Sequence, residues 1–219
     1  LLNGQAKGLP RVYDIALQII SHSDGRVDAT RLSNFIRSYQ TVSSLKMGEL
    51  WAIPIMLRLA LIENLRRVAV RIAAGRINRN LAHYWADEMI KVAEKDPKSL
   101  ILVIADMARS DPPMDSSFVA ELTRRLQGKG PALALPLNWM EQRLSELAQT
   151  SIEIVNLETQ KLAADQVSMS NSISSLRFLA TMDWREFVED LSLVEKMLFQ
   201  DPDGIYAKMD FPTRDSYRH

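Results

Sequence analysis

Apolar residues recur along this chain at the spacing of helix faces. After Asp28, a candidate N-cap, Leu32, Phe35, Ile36 and Tyr39 follow the i, i+3, i+4, i+7 rule. The same spacing returns in Trp184, Phe187, Val188, Leu191, Val194 and Leu198. There Asp183 and Glu186 stand at capping-box distance, with Asp in place of Ser or Thr. Asp96-Pro97 reads as cap and first helical residue ahead of Leu100, Ile101, Val103, Ile104 and Met107. No stretch sustains period-two alternation, so the pattern predicts no sheet.

Two segments depart from simple amphipathicity. From Gly48 to about Gly75 the apolar residues, Leu50, Trp51, Ile53, Ile55, Met56, Leu57, Leu59, Leu61, Ile62 and Leu65 among them, cover nearly the whole helix circumference. A helix apolar all round is expected in the middle of the others. Pro54 lies near its start, where a missing N–H costs little, or else kinks it. From Asn138 to about Ala180, Met140, Leu144, Leu147, Val155, Leu162, Met169, Ile173 and Leu176 keep one stripe. That predicts one very long helix, or two with a break near residues 168–175 (SMSNSISS). The stretch has a linker's composition, yet the stripe runs through it, and its small residues suit the close approach of another helix.

Turn signals stand at residues 21–25, 110–113, 128–131 and 200–204, each with Gly or Pro. None is long enough for a flexible linker. The expected architecture is therefore a single all-α domain over residues 1–219, a multi-helix bundle or array of eight to ten helices. One central helix would be apolar, and one in the C-terminal half very long. No internal repeat is evident.

Composition narrows the class. An apolar share of 47% with 25% charged residues is that of a folded globular protein, which argues against disorder. There is no cysteine, so disulfides, thiolate metal sites and a cysteine nucleophile are excluded, in keeping with a reducing compartment. The start, Leu1-Leu2-Asn3-Gly4, has neither initiator Met nor signal peptide and reads as a fragment of a longer chain. The most apolar run, residues 50–65, is interrupted by Pro54, Arg58 and Glu63 and falls short of the roughly 20 residues of a membrane span. Net charge is zero, but it conceals a split. Through Tyr84 there are 12 Lys+Arg against 5 Asp+Glu, giving +7; the remainder carries 15 against 22, giving −7. The split suits either mutually attracting lobes or one face turned to phosphate or lipid, while ordinary solvated helix faces explain it as well.

Catalytic constellations are not found. There is no Gly-x-Ser-x-Gly, and the three histidines, His22, His83 and His219, have no triad partners in prospect. His83 and Asp87 are four apart, with Glu88 alongside, but one such pair does not make a metal site. Residues 128–131 (GKGP) lack the spacing and Ser/Thr of a phosphate loop, and the Asp-Asp-x-x-Asp motif of α-helical terpenoid enzymes is absent. The readings are thus no catalytic residue, no metal and no cofactor in this segment. A binding surface remains. Arg66, Arg67, Arg71, Arg76 and Arg79 crowd together, with Glu63 placed to pair with Arg66 or Arg67. They suit anionic lipid headgroups or an acidic partner domain; nucleic acid is disfavoured by neutrality and by the lack of interleaved aromatics. Trp51 and Trp85 read as core or rim aromatics. Arg58, a charge inside an apolar face, must snorkel or meet a carboxylate.

Several strings carry more than their physics. Residues 9–17 (LPRVYDIAL), 22–28 (HSDGRVD) and, most distinctively, 48–67 (GELWAIPIMLRLALIENLRR) resemble the N-terminal region of bacterial cyclic β-1,2-glucan synthases. So do residues 164–168 (ADQVS), 171–177 (NSISSLR), Asp183-Trp184-Arg185 and 209–219 (MDFPTRDSYRH), the last departing from the family pattern at Pro212 and Ser216. The resemblance spans the chain and is weakest between about Ile77 and Leu137.

The resemblance implies a very large inner-membrane enzyme. Such enzymes have a glycosyltransferase region using UDP-glucose, transmembrane helices, and glycoside-hydrolase-like and phosphorylase-like regions. They prime the glucan on themselves, extend it and cyclise it for export. The transferase's aspartate motifs and Gln-x-x-Arg-Trp-type motif do not occur here, so no catalytic residue is carried over. The implied role is a non-catalytic module on the cytoplasmic side of the inner membrane, whose partners are other regions of the same polypeptide. Anionic inner-leaflet lipid and the glucan are further candidates. The expected contact residues are Trp51, Arg58, Arg66, Arg67 and Arg71, with Asp210, Arg214, Tyr217 and Arg218 near the exit toward the membrane. A glucan-binding or chain-length module and an independent helical adaptor are the alternatives.

Overall fold

The computed structural model describes residues 8–146 and 149–218, so Leu147 of the expected stripe, the histidine at position 219 and the first four residues lie outside the described residues. Among the described residues there are ten α-helices and no strand, as the all-α reading expects. They are α1 (Arg11–His22), α2 (Ala29–Gln40), the 49-residue α3 (Met47–Lys95), α4 (Leu100–Arg109), α5 (Ser116–Leu126) and α6 (Ala134–Ser145). The 31-residue α7 (Ser151–Thr181), α8 (Trp184–Leu191), α9 (Leu193–Leu198) and α10 (Phe211–Arg218) follow. No helix among the described residues is long and apolar enough to cross a membrane.

Side-chain caps set many of these boundaries. Asp28 accepts the Arg31 amide at the head of α2, and Asp183 accepts the amides of Arg185 and Glu186 at the head of α8. Each cap satisfies N–H groups that the helix itself leaves unpaired, a contribution of about 1 kcal/mol. Asp96 also caps, but what it starts is a single 3₁₀ turn (Pro97–Ser99) that leads into α4. Pro54 is the eighth residue of α3, past the first turn, so the bond that would reach the Leu50 carbonyl is missing.

Two compact units divide the chain: the first takes residues up to Arg66 and from Val167 onward, the second Arg67–Gln166. The first is built around Val12, Ile20, Leu32, Ile36, Leu50, Leu57, Leu61, Leu179 and Val188. Its α3 segment is not buried all round, contrary to the sequence expectation. Leu50, Ile53, Leu57 and Leu61 face the core, while Ile55, Leu59 and Ile62 are exposed, because the neighbouring helices cover only one side.

The α7 segment of the first unit corrects the expected stripe. α6 ends at Ser145, and α7 runs unbroken from Ser151 through residues 168–175, so no break falls in the serine stretch. Its buried face there is Ser168, Ser172, Ser175 and Leu179, whereas Ile173 is exposed. The reason is a close approach by the turn after α1. Asp24 and Gly25 both take positive φ there, and a Cβ on Gly25 would stand 2.3 Å from Ser172 Oγ. Ser175 Oγ donates to the Gly25 carbonyl and accepts from the Val27 amide, each at 2.8 Å. Asn64 Nδ2 reaches both Ser168 Oγ and Ser172 Oγ at 3.0 Å.

The second unit has its own core, which includes Ala82, Ala86, Met89, Leu100, Ile104, Met107, Phe118, Leu122, Met140 and Leu144. Polar residues of its α3 segment dock α5: His83 Nε2 lies 2.6 Å from Glu121 Oε1, and Arg125 Nη2 donates to Asp87 Oδ1 at 2.7 Å. Burial pushes the Glu121 carboxyl up, but hydrogen bonds from Arg124 and His83 outweigh it and hold the group below its ordinary range.

Candidate functional site

Within the second unit, three helices enclose a cleft of about 450 Å³. α3 supplies Arg71, Ile72, Gly75 and Arg79; the start of α5 supplies Asp115, Ser116 and Ser117; α7 supplies Glu158, Lys161, Leu162 and Asp165. A second hollow of about 290 Å³ shares Arg79, Ser117, Glu158 and Leu162 with it, so the two form one trough.

Glu158 organises the polar wall although it is only 7% exposed. Its Oε1 accepts from Arg79 Nη1 at 3.0 Å and Ser117 Oγ at 2.9 Å, and its Oε2 accepts from Ser116 Oγ at 2.8 Å. Lys161 Nζ donates to Ser116 Oγ at 3.0 Å. At the rim Arg71 pairs with Asp165 at 2.5 Å, and Asn78 donates to Asp115, which caps α5 through the Phe118 amide. A buried carboxylate held by one guanidinium and two hydroxyls escapes the several kcal/mol that an unpaired one would cost. Gly75 makes room for this arrangement: a Cβ there would come within 2.9 Å of Ser117 Oγ and 3.2 Å of Arg79 Nη1. Mid-helix glycine costs roughly 1 kcal/mol relative to alanine, and the space it leaves lets both donors reach Glu158. Three basic side chains (Arg71, Arg79, Lys161) face three acidic ones (Asp115, Glu158, Asp165), so the lining is neutral. Among the described residues no three His, Asp or Glu side chains converge as they would around a metal ion.

The contact residues read from the sequence fall in several places. Trp51 is half-buried against the first core. Arg58 meets neither a carboxylate nor open solvent alone, since its Nη2 donates at 3.1 Å to the carbonyl of Leu179. That carbonyl lies in the last turn of α7, where intrahelical donors run out, and Trp184 Nε1 binds it too at 2.9 Å. Arg66 pairs with Glu63 at 2.7 Å, as its spacing predicts. Arg71 belongs to the cleft rim, and Arg67 has no ion-pair partner among the described residues.

Asp210 caps α10 by accepting the Thr213 amide at 3.1 Å, and Tyr217 is exposed. Arg214 and Arg218 turn inward to two glutamates. Arg214 lies 3.1 Å from Glu189 and 3.4 Å from Glu195, and the fully buried Arg218 side chain lies 3.3 and 3.1 Å from the same pair. Tyr206 Oη donates to Glu195 at 2.8 Å. Burial first, and then that carboxylate, push the Tyr206 hydroxyl up to about 12.

Glu158, Ser116, Ser117, Glu189 and Glu195 were not legible as partners from the sequence. A signal existed for two of them. Glu158 stands three residues after Val155 and four before Leu162, and Glu195 stands four after Leu191 and three before Leu198. Each is a charge set into an apolar stripe.

No protein-family model matches the chain. The chain is 31% identical over 210 residues to cyclic β-(1,2)-glucan synthase NdvB of Rhizobium meliloti (strain 1021). The match takes in 96% of this chain and 7% of that protein, so the chain spans a small part of the relative's length. This bears out the resemblance to that family read from the sequence. The chain is thus similar to one segment of a bacterial cyclic β-1,2-glucan synthase.

Proposed function

We propose that this chain is a non-catalytic helical module of a cyclic β-1,2-glucan synthase, on the cytoplasmic side of the inner membrane. It organises the catalytic and membrane regions of the same polypeptide by docking against them. The supporting observation is an apolar ridge on α3. Ile55, Leu59 and Ile62 are 55%, 47% and 55% exposed and fall within one narrow arc of the helix, behind which Leu57 and Leu61 fill the first core. Exposed apolar side chains gathered on one arc mark an interaction surface more often than scattered ones do. Spacings of four place Trp51 before Ile55 and Arg66 after Ile62 on the same arc, so two expected contact residues bracket the ridge.

The test places charge on the ridge of the parent enzyme. An Ile55→Glu, Leu59→Glu, Ile62→Glu variant is expected to remain in the membrane fraction and to lose most β-1,2-glucan formation from UDP-glucose in isolated membranes. The control, Val42→Glu, alters a side chain that is 90% exposed and off the ridge, and should leave output unchanged. Full output from the triple variant would sink the docking reading.

A further inference from the structure

We infer that the trough between α3, α5 and α7 in the second unit binds a neutral, hydroxyl-rich ligand, an oligosaccharide of more than one ring. The inference goes beyond docking and uses that reading only to choose the first probe.

Size comes first. The cleft of about 450 Å³ lies within the range of ligand pockets, roughly 300–1,000 Å³. The adjoining hollow of about 290 Å³ lengthens it along Arg79, Glu158 and Leu162. Two adjoining hollows that share a wall suit a ligand of several linked rings better than a compact metabolite.

The lining then selects the chemistry. Ile72, Ala74, Leu162 and Ala164 offer an apolar side for the C–H faces of sugar rings. The same lining carries carboxylates, guanidinium groups, an ammonium and hydroxyls, donors and acceptors in mixed order, which is what neighbouring sugar hydroxyls require. Ionised partners make the stronger hydrogen bonds, and here they are already positioned by Glu158 and by the Arg71–Asp165 pair. Charge excludes the rivals. A phosphate or other anion would meet Arg71, Arg79 and Lys161 only in the presence of Asp115, Glu158 and Asp165. A metal ion would find two guanidinium groups at the carboxylates it needs. A purely apolar ligand would strip water from the polar wall without replacing its hydrogen bonds.

Isothermal titration of the 219-residue chain tests this, with linear β-1,2-linked gluco-oligosaccharides as the first probe. Maltooligosaccharides and inorganic phosphate are the comparators. Saturable binding of an oligosaccharide is expected, with no binding of phosphate. Glu158→Gln alters a buried residue and could unfold the unit, so the deciding variants are at the rim. Ala164→Trp, at an exposed lining position on α7, fills the mouth and should abolish binding. Lys161→Ala should weaken it by about tenfold, the effect of one lost hydrogen bond to a charged group. Both should keep the helical circular dichroism and melting temperature of the native chain. No saturable binding of any oligosaccharide, binding untouched by Ala164→Trp, or a preference for phosphate would each overturn the inference. The ridge variant of the parent enzyme reads docking separately, so either proposal can fail alone.

Discussion

At the scale of single residues, the charges that matter most are those set into apolar stripes. Glu195 is 2% exposed and receives Arg214, Arg218 and the Tyr206 hydroxyl, so α9, α10 and the turn between them meet on one carboxylate. Removing one member of such a group leaves the others buried and unmatched, which is why these contacts cannot be judged one at a time. Tyr206 gives the group a pH signature. Its hydroxyl titrates at about 12 in the folded chain against an ordinary 10, so folding favours the protonated form. The stabilisation linked to it is fully present below pH 10 and is lost as pH rises from 10 through about 12. Urea unfolding at pH 8 and at pH 11 should show the native chain losing stability across that interval. Tyr206→Phe should start lower by about 1 kcal/mol, the usual value of one hydrogen bond, and lose less on going to pH 11. Equal losses in both proteins would mean that the hydroxyl titrates as if exposed.

At the scale of elements, α7 shows what a sequence pattern can and cannot carry. Its existence and the usefulness of its small residues follow from composition and spacing, as do the caps at Asp28 and Asp183, whereas its start at Ser151 does not. Which face it buries does not follow. Hydrophobicity favours Leu162 and Ile173, yet both are exposed, while Ser168, Ser172 and Ser175 are buried. The deciding facts are nonlocal: a glycine turn 150 residues earlier approaches Ser175, and Asn64 arrives from α3. The same holds for the cleft, where Glu158 had a visible oddity in its stripe but its partners Ser116 and Ser117 lie on another helix. A pair of substitutions inverts the ranking that hydropathy gives. Ser172→Leu puts bulk where Gly25 and Asn64 already press, and should cost about 1–3 kcal/mol in denaturant unfolding. Ile173→Ser, one position on, should change stability by less than about 0.5 kcal/mol. A larger loss from Ile173→Ser than from Ser172→Leu would restore the hydropathic stripe as the buried face.

At the scale of the whole molecule, the charge split along the sequence disappears in the fold. The second unit holds 13 Lys+Arg and 13 Asp+Glu, which leaves 27 − 13 = 14 of each for the first. Each unit is neutral because each draws on the basic N-terminal stretch and on the acidic remainder. The arginine group is dispersed in the same way: Arg66 pairs with Glu63, Arg71 with Asp165 and Arg79 with Glu158. Only Arg67 and Arg76 of that group lack an ion-pair partner among the described residues. A basic residue near an anionic surface contributes about 1 kcal/mol, so two of them give weak attraction, and the carboxylates nearby reduce it further. Attachment to lipid through charge is therefore a poorer account of this chain than contact through the apolar ridge of α3. Vesicle sedimentation separates the two. Partition of the chain into vesicles with about one-third phosphatidylglycerol should exceed that into phosphatidylcholine by less than tenfold. It should also change little between low and physiological salt, because screening has little net charge to act on. Strong recruitment that salt abolishes would assign the arginines to headgroups and move the chain's principal contact from protein to lipid.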